Sequence, residues 1–330
     1  MSLLLILGGL ATLMGIYAVT ALALNLQFGV GGMVNFGVAA FFGVGAYAYA
    51  LTVMPAQSGT YTYILGLGLP WWAGTIVGGL ASALLALVVG CVLVRVGGEY
   101  LAVVALAMAE VIRQLFINQP AIANGARGLL DAPVPTFDGV PGRAQSLVLA
   151  VIVLVVLAIT YVVFQRVTRS SFGRSLLALN QNEAVAKSLG VNVYAVRLKA
   201  FVFAAFFMGL AGVMYVWYLS ILTPTFFNVN ITFTVFIALI IGGMGSNTGA
   251  VLGAVVLLGL REGLTYIHVD FITPELMASV QDALQGLVLI VILLFWPGGL
   301  FRPKLPVYEV PGNLPGAPSI LATSSAGERS

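Results

Sequence analysis

Residues 147–165 read LVLAVIVLVVLAITYVVFQ, and Arg166 follows at once. The run is free of charge and shows no alternation of polar and apolar positions. As a helix rising about 1.5 Å per residue, it matches the ~30 Å hydrocarbon thickness of a bilayer. A barrel strand would alternate apolar and polar residues instead. Similar runs lie at 3–22, 36–53, 71–94, 100–117, 197–219, 231–244, 249–262 and 277–296. The expected fold is all-α: a polytopic integral membrane helix bundle with about 8–10 transmembrane helices. The 231–244 run is short for a full crossing.

Composition narrows the function. The 330 residues are 60% hydrophobic and 8% charged, with mean hydropathy +1.07. A soluble domain carries about 25% charged residues to keep its surface in water, and a disordered chain needs low hydrophobicity. Both classes are excluded. Cys91 and His268 are the only residues of their types, so there is no disulfide, cysteine cluster or multi-histidine metal site. Lys187, Lys199 and Lys304 are the only lysines, and none follows a glycine, which removes a phosphate loop. No catalytic residue, cofactor site or metal site is read, and the chain is expected not to be an enzyme. ATP-driven work would need a separate nucleotide-binding chain. No basic run is interleaved with aromatics, so nucleic acid is not expected as a partner.

Lys and Arg orient the spans, because short basic loops stay in the cytoplasm. The 166–199 segment holds Arg166, Arg169, Arg174, Lys187, Arg197 and Lys199 against one acid, Glu183. This loop is expected inside. Counting outward puts 95–99 inside, 118–146 outside, the N-terminus outside and the C-terminus, with Arg302 and Lys304, inside. The N-terminus lacks a basic residue, which argues against a secretory signal peptide. Residues 1–302 read as the transmembrane domain. Residues 303–330, rich in proline and small polar residues, read as a disordered cytoplasmic tail.

Within the basic loop, Asn180 with Glu183 three residues on has the form of a capping box, and Glu183 with Lys187 has favourable i,i+4 spacing. Gly190 suits a left-handed helix end. A helix of about two turns is marginal alone and needs a surface. A cytoplasmic protein partner and the lipid headgroups are both open as that surface.

Three polar features interrupt or border the apolar runs. Asn25, Gln27 and Asn35 lie among Gly29, Gly31, Gly32 and Gly37. This reads either as a broken helix whose N-terminus near Asn35 aims amides at a substrate carboxylate, or as a short cytoplasmic turn. Glu110 and Arg113 share a helix face and pair, as a pathway contact or as a structural clamp. Gln281, Asp282 and Gln285 sit in the last run, where they hydrogen-bond a neighbouring helix or line a cavity, and Asp282 is a pathway candidate. His268 is assigned nothing. Gly-x-x-x-Gly at Gly74/Gly78, Gly249/Gly253 and Gly259/Gly263 carries little weight among 39 glycines.

Several of these stretches together resemble one family. Glu183-Ala184, Gly190, Lys199, Phe201 and Gly209-Leu210-Ala211-Gly212 resemble the Glu-Ala-Ala-type loop of bacterial ABC importer permeases. Ile241-Gly242-Gly243-Met244-Gly245-Ser246, with Gly249-Ala250 and Gly253-Ala254, resembles the branched-chain amino-acid permease branch. So do Ala23-Leu24-Asn25-Leu26, Gly29 and the run Ala39 to Tyr47. Gly98-Glu99-Tyr100-Leu101-Ala102, then Glu110-Val111-Ile112-Arg113, is similar to the LivM-type subunit. The resemblance covers about residues 20–302.

The resemblance implies a multi-pass protein of the bacterial inner membrane, in contact with membrane lipid. Its partners would be a homologous LivH-type permease, two cytoplasmic ATP-binding subunits and a periplasmic solute-binding protein. Asn180, Glu183, Ala184, Ala186, Lys187, Leu189 and Gly190 would couple to the ATP-binding subunits. Asn25, Gln27, Asn35, Glu110, Arg113 and Asp282 are the pathway candidates. The implied cargo is branched-chain amino acids. Urea or a short-chain amide stays open within the family, and a stand-alone secondary transporter outside it.

Overall fold

The computed structural model describes residues 3–55, 63–96, 98–130, 132–135, 142–265, 274–296 and 298–301. The tail 303–330 and His268 lie outside the described residues. Each of the nine apolar runs is a helix: α1 (Leu3–Leu24), α2 (Val38–Val53), α3 (Trp71–Val96), α4 (Gly98–Asn118), α6 (Gly142–Arg169), α9 (Val193–Leu219), α10 (Val229–Gly242), α11 (Asn247–Thr265) and α12 (Pro274–Phe295). Between them stand α5 (Pro120–Ala123), α7 (Ser171–Gln181) and α8 (Glu183–Ser188). Among the described residues there is no strand; two isolated bridges, Tyr63 to Ala123 and Leu129 to Leu222, tie loops at one end. The all-α expectation holds because a helix satisfies every backbone group within its own segment, which lipid does not do.

Six described helices are long and apolar enough to cross a membrane: Leu5–Val30, Trp71–Val96, Tyr100–Asn118, Ala144–Arg169, Val193–Leu219 and Pro224–Gly242. Val38–Val53 and Ser279–Ile292 are apolar but shorter. The 231–244 run reaches spanning length through the turn Pro224–Phe226 that precedes α10.

Contacts set the direction of each helix. Gly8 of α1 packs on Leu147 of α6, and Gly15 packs on Val153, so α1 and α6 run parallel. Gly90 of α3 meets Leu198 and Phe201 of α9, while Gly78 meets Val213, so these two run antiparallel. Arg95, near the end of α3, lies 5.2 Å from the ring of Tyr194 at the start of α9. Arg95 and the loop 166–199 therefore share one face of the bundle, hereafter the basic end. Basic residues gathering at one end is the asymmetry that orients membrane proteins.

The centre is α1, α2, α3 and α9. Small residues on α9, Gly209 against Gly45 and Gly212 against Phe42, let α2 approach until backbone meets backbone. A Cβ on Gly212 would run into the Phe42 carbonyl, so no other residue fits there. Such small-residue contacts carry helix association in lipid, where burial of apolar surface gives no drive. Ser82 of α3 donates to the Phe41 carbonyl at 2.7 Å and fastens α3 to α2.

Candidate functional site

The loop between α6 and α9 folds into a capped helical arm at the basic end. Ser170, in extended conformation, caps α7 by accepting from the Gly173 amide. Asn182, with φ −155° and ψ 100°, ends α7 and caps α8 by accepting from the Val185 amide at 3.1 Å. Asn192 caps α9 by accepting from the Ala195 amide at 3.0 Å. Gly190 takes φ +84° and closes α8, as expected.

Two details differ from the expectation. The cap is Asn182, because Asn180 is still in the last turn of α7 and a cap must leave helical geometry. Glu183 makes its ion pair with Arg197 of α9 at 2.8 Å, not with Lys187; this pair ties α8 to α9. Ala186 is the buried residue of α8. Glu183, Ala184, Val185, Lys187, Leu189 and Gly190 are exposed. Val185 is 53% and Leu189 78% exposed. Bare Val185 on this helix of six residues, and bare Leu189 just past its end, leave it short of packing partners within this chain.

The arm rests on the end of α1. There the helix widens into a π-turn, Asn25–Val30, and the chain then runs without regular helix to Gly37. π-turns insert a residue into a helix and often mark functional positions. Gly32, at φ +64°, lies flush against the Asn180 side chain; a Cβ there would stand 2.8 Å from Cγ of Asn180. Gly31 meets Leu176 of α7 in the same way. Asn180 therefore sits at the joint between the arm and the bundle.

Asn25, Gln27 and Asn35 are fully buried. The structure brings Gln27 and Asn35 together: Asn35 Nδ2 donates to Gln27 Oε1 at 2.8 Å, and Gln27 Nε2 donates to the Phe201 carbonyl at 3.1 Å. Asn25 belongs to a separate cluster. Its Nδ2 donates to Asn247 Oδ1 at 2.9 Å, and its Oδ1 accepts from the Gly245 amide at 2.8 Å. The Asn247 amide in turn meets Gln165 at 2.9 Å and Thr168 at 3.2 Å. Four segments, α1, α6, the 243–246 turn and α11, are thus tied by amides at the basic end. The amides that would aim at a substrate near Asn35 are used internally: Gly37 donates to Asn35 Oδ1 at 2.8 Å and Ala39 to Thr232 Oγ1 at 3.2 Å. Irregular backbone of this kind persists among membrane helices because protein covers it.

Glu110 and Arg113 do pair, through Arg113 Nε at 2.9 Å and Nη2 at 2.6 Å. They are not buried in the bundle: Glu110 keeps 42% and Arg113 21% of its side-chain exposure. Gln114 donates to Glu110 at 2.8 Å and extends the polar stripe. Asp282 lies in α12 with its side chain outside the described residues. Gln285 is buried, its Nε2 without a partner.

Asn247, Gln165 and Thr168 escape a reading of the sequence, since each stands among other polar residues at the end of an apolar run and nothing local singles it out. The only local signal is an amide beside the glycine-rich turn 242–245.

Membrane-length helices closed over buried amides, with no group of three or more metal-ligating residues among the described ones, define a polytopic helical membrane protein. The chain belongs to the family described as "Branched-chain amino acid transport system / permease component", whose profile matches residues 6–293. It is 28% identical over 323 residues to the high-affinity branched-chain amino acid transport system permease protein LivM of Salmonella typhimurium, covering 90% of this chain and 71% of that one. It is 28% identical over 338 residues to the probable LivM permease of Methanocaldococcus jannaschii, covering 90% and 93%. To the LivH permease of Salmonella typhimurium it is 25% identical over 312 residues, covering 89% and 94%. No solved structure matches it.

Proposed function

We propose that the chain is the LivM-type permease subunit of an ATP-driven importer of branched-chain amino acids in a bacterial inner membrane. Residues 1–302 are its transmembrane domain, and 303–330 a cytoplasmic tail. Two ATP-binding subunits dock on α7–α8, a LivH-type permease encloses the path, and a periplasmic solute-binding protein delivers the cargo. The observation that carries this reading is the arm: capped at each step, basic, carrying bare Val185 and Leu189, and belonging to a chain without a phosphate loop.

Mechanically, closing ATP-binding subunits push α8. The Glu183–Arg197 pair passes that push to α9, and α7 passes it through Asn180 to Gly32 and the π-turn of α1. The bundle then changes between two packings, which is how a small displacement at one site alters another. The second permease has support on α4. A stripe of Glu110, Arg113, Gln114 and Asn118 left facing hydrocarbon is costly, whereas facing a partner or a hydrated path it is not.

Proteoliposomes holding this chain with its co-purified subunits test the reading. With binding protein and ATP, labelled leucine, isoleucine and valine accumulate and urea does not. Uptake that survives removal of the ATP-binding subunits, or that is confined to urea, refutes it.

A further inference from the structure

Between α2 and α4 lies a narrow cleft with an apolar floor of Ala39, Ala40, Gly43 and Phe227. Its walls include Tyr47 and Arg113. Tyr47 is 1% exposed, its ring stacked on Phe116 with centroids 4.1 Å apart, and its hydroxyl has no hydrogen-bond partner. A buried hydroxyl without a partner costs about 1–3 kcal/mol, so such a group calls for a ligand. Arg113 spends two of its five N–H groups on Glu110, and the others bond to nothing among the described residues.

We propose that this cleft is a waypoint for the backbone of an aliphatic amino acid, a proposal that rests on the permease reading above. The cargo carboxylate takes the spare Arg113 donors and the Tyr47 hydroxyl. Its ammonium takes Glu110, which stands outside the cleft lining but is bonded to Arg113 in its wall, and its side chain lies on Ala39, Ala40, Gly43 and Phe227. The chemistry matches in order: a zwitterion has opposite charges side by side and no net charge, and so has the Glu110–Arg113 pair. A neutral amide such as urea makes little use of such a pair. The cleft is closed to about 10 Å³ in this conformation, space for about one water. The waypoint therefore opens when α4 moves away from α2. The α4 span is 22% buried against the rest of the chain, so it is the lightly held wall of the two.

The test uses proteoliposomes of the assembled transporter with its binding protein, and reads labelled leucine uptake and ATP hydrolysis together. Arg113→Gln is expected to lower uptake at least tenfold while binding-protein-stimulated ATP hydrolysis stays within twofold. Tyr47→Phe, which keeps the ring stack, is expected to lower uptake three- to tenfold. The paired variant Glu110→Leu with Arg113→Leu removes the charges without leaving one alone, and it is expected to be as defective as Arg113→Gln. Recovery of uptake in the paired variant shows a clamp and overturns the proposal, as does wild-type uptake in Arg113→Gln. Should Arg113→Gln fail to assemble, Tyr47→Phe decides: uptake equal to wild type overturns the site. Each of these results leaves the permease reading standing. A wild-type assembly that imports no leucine removes that reading, and the waypoint with it.

Discussion

Replacing Gly32 by alanine tests whether the arm is seated on the bundle. Gly32 holds φ +64°, where an L-residue costs about 1–2 kcal/mol. The new Cβ also meets the end of the Asn180 side chain. Asn180 must then leave its rotamer or α7 must lift, at a further ~0.5–1.5 kcal/mol. Gly32→Ala alone therefore weakens the joint by about 1.5–3.5 kcal/mol. In an Asn180→Ala background the collision is absent and only the backbone cost remains. The double-mutant cycle should return a coupling of about 1 kcal/mol between positions 32 and 180. Hydrogen exchange of the α7 amides in the assembled protein reads this directly, since local opening tracks local stability. Gly32→Ala should speed α7 exchange by roughly tenfold or more, and Asn180→Ala should take back about a fivefold share of it. Additive effects, with no coupling, would refute the claim that α7 bears on this segment.

Two other perturbations probe the caps and the amides. Asn182→Ala removes the oxygen that accepts from Val185 and should destabilise α8 by about 1 kcal/mol, while Asn182→Ser keeps the cap; ATP hydrolysis per imported leucine should rise in the first and not in the second. Asn25→Leu orphans the Gly245 amide and Asn247 Oδ1 at about 1–3 kcal/mol each, and should lower the thermal inactivation temperature of the purified complex well below that of wild type.

The sequence shows the helices because lipid demands long apolar runs, and runs such as 147–165 admit no other reading. It misplaces their ends. α6 reaches from Gly142 to Arg169 because a helix continues through the polar interface, where apolarity no longer marks it. The arm was legible as a capped helix, but the cap read at Asn180 stands at Asn182, whose backbone is pulled extended between α7 and α8. The partner of Glu183 was not legible at all, since Arg197 lies on the next helix and proximity there is set by the turn at Gly190. The buried amides were visible as interruptions at Asn25, Gln27 and Asn35. Their partners Asn247 and Phe201 come from far along the chain, and no local spacing announces a pairing of that range.

The central claim is that α8 is the handle by which separate ATP-binding subunits drive this chain. The most direct measurement replaces the bare pair on that handle, Val185→Asp with Leu189→Asp, and follows subunit co-purification with ATP-driven leucine import. Both side chains are exposed, so the variant should insert and accumulate as wild type does. It should lose the ATP-binding subunits and import together. ATP-binding subunits retained in full, with import unchanged, would contradict the account.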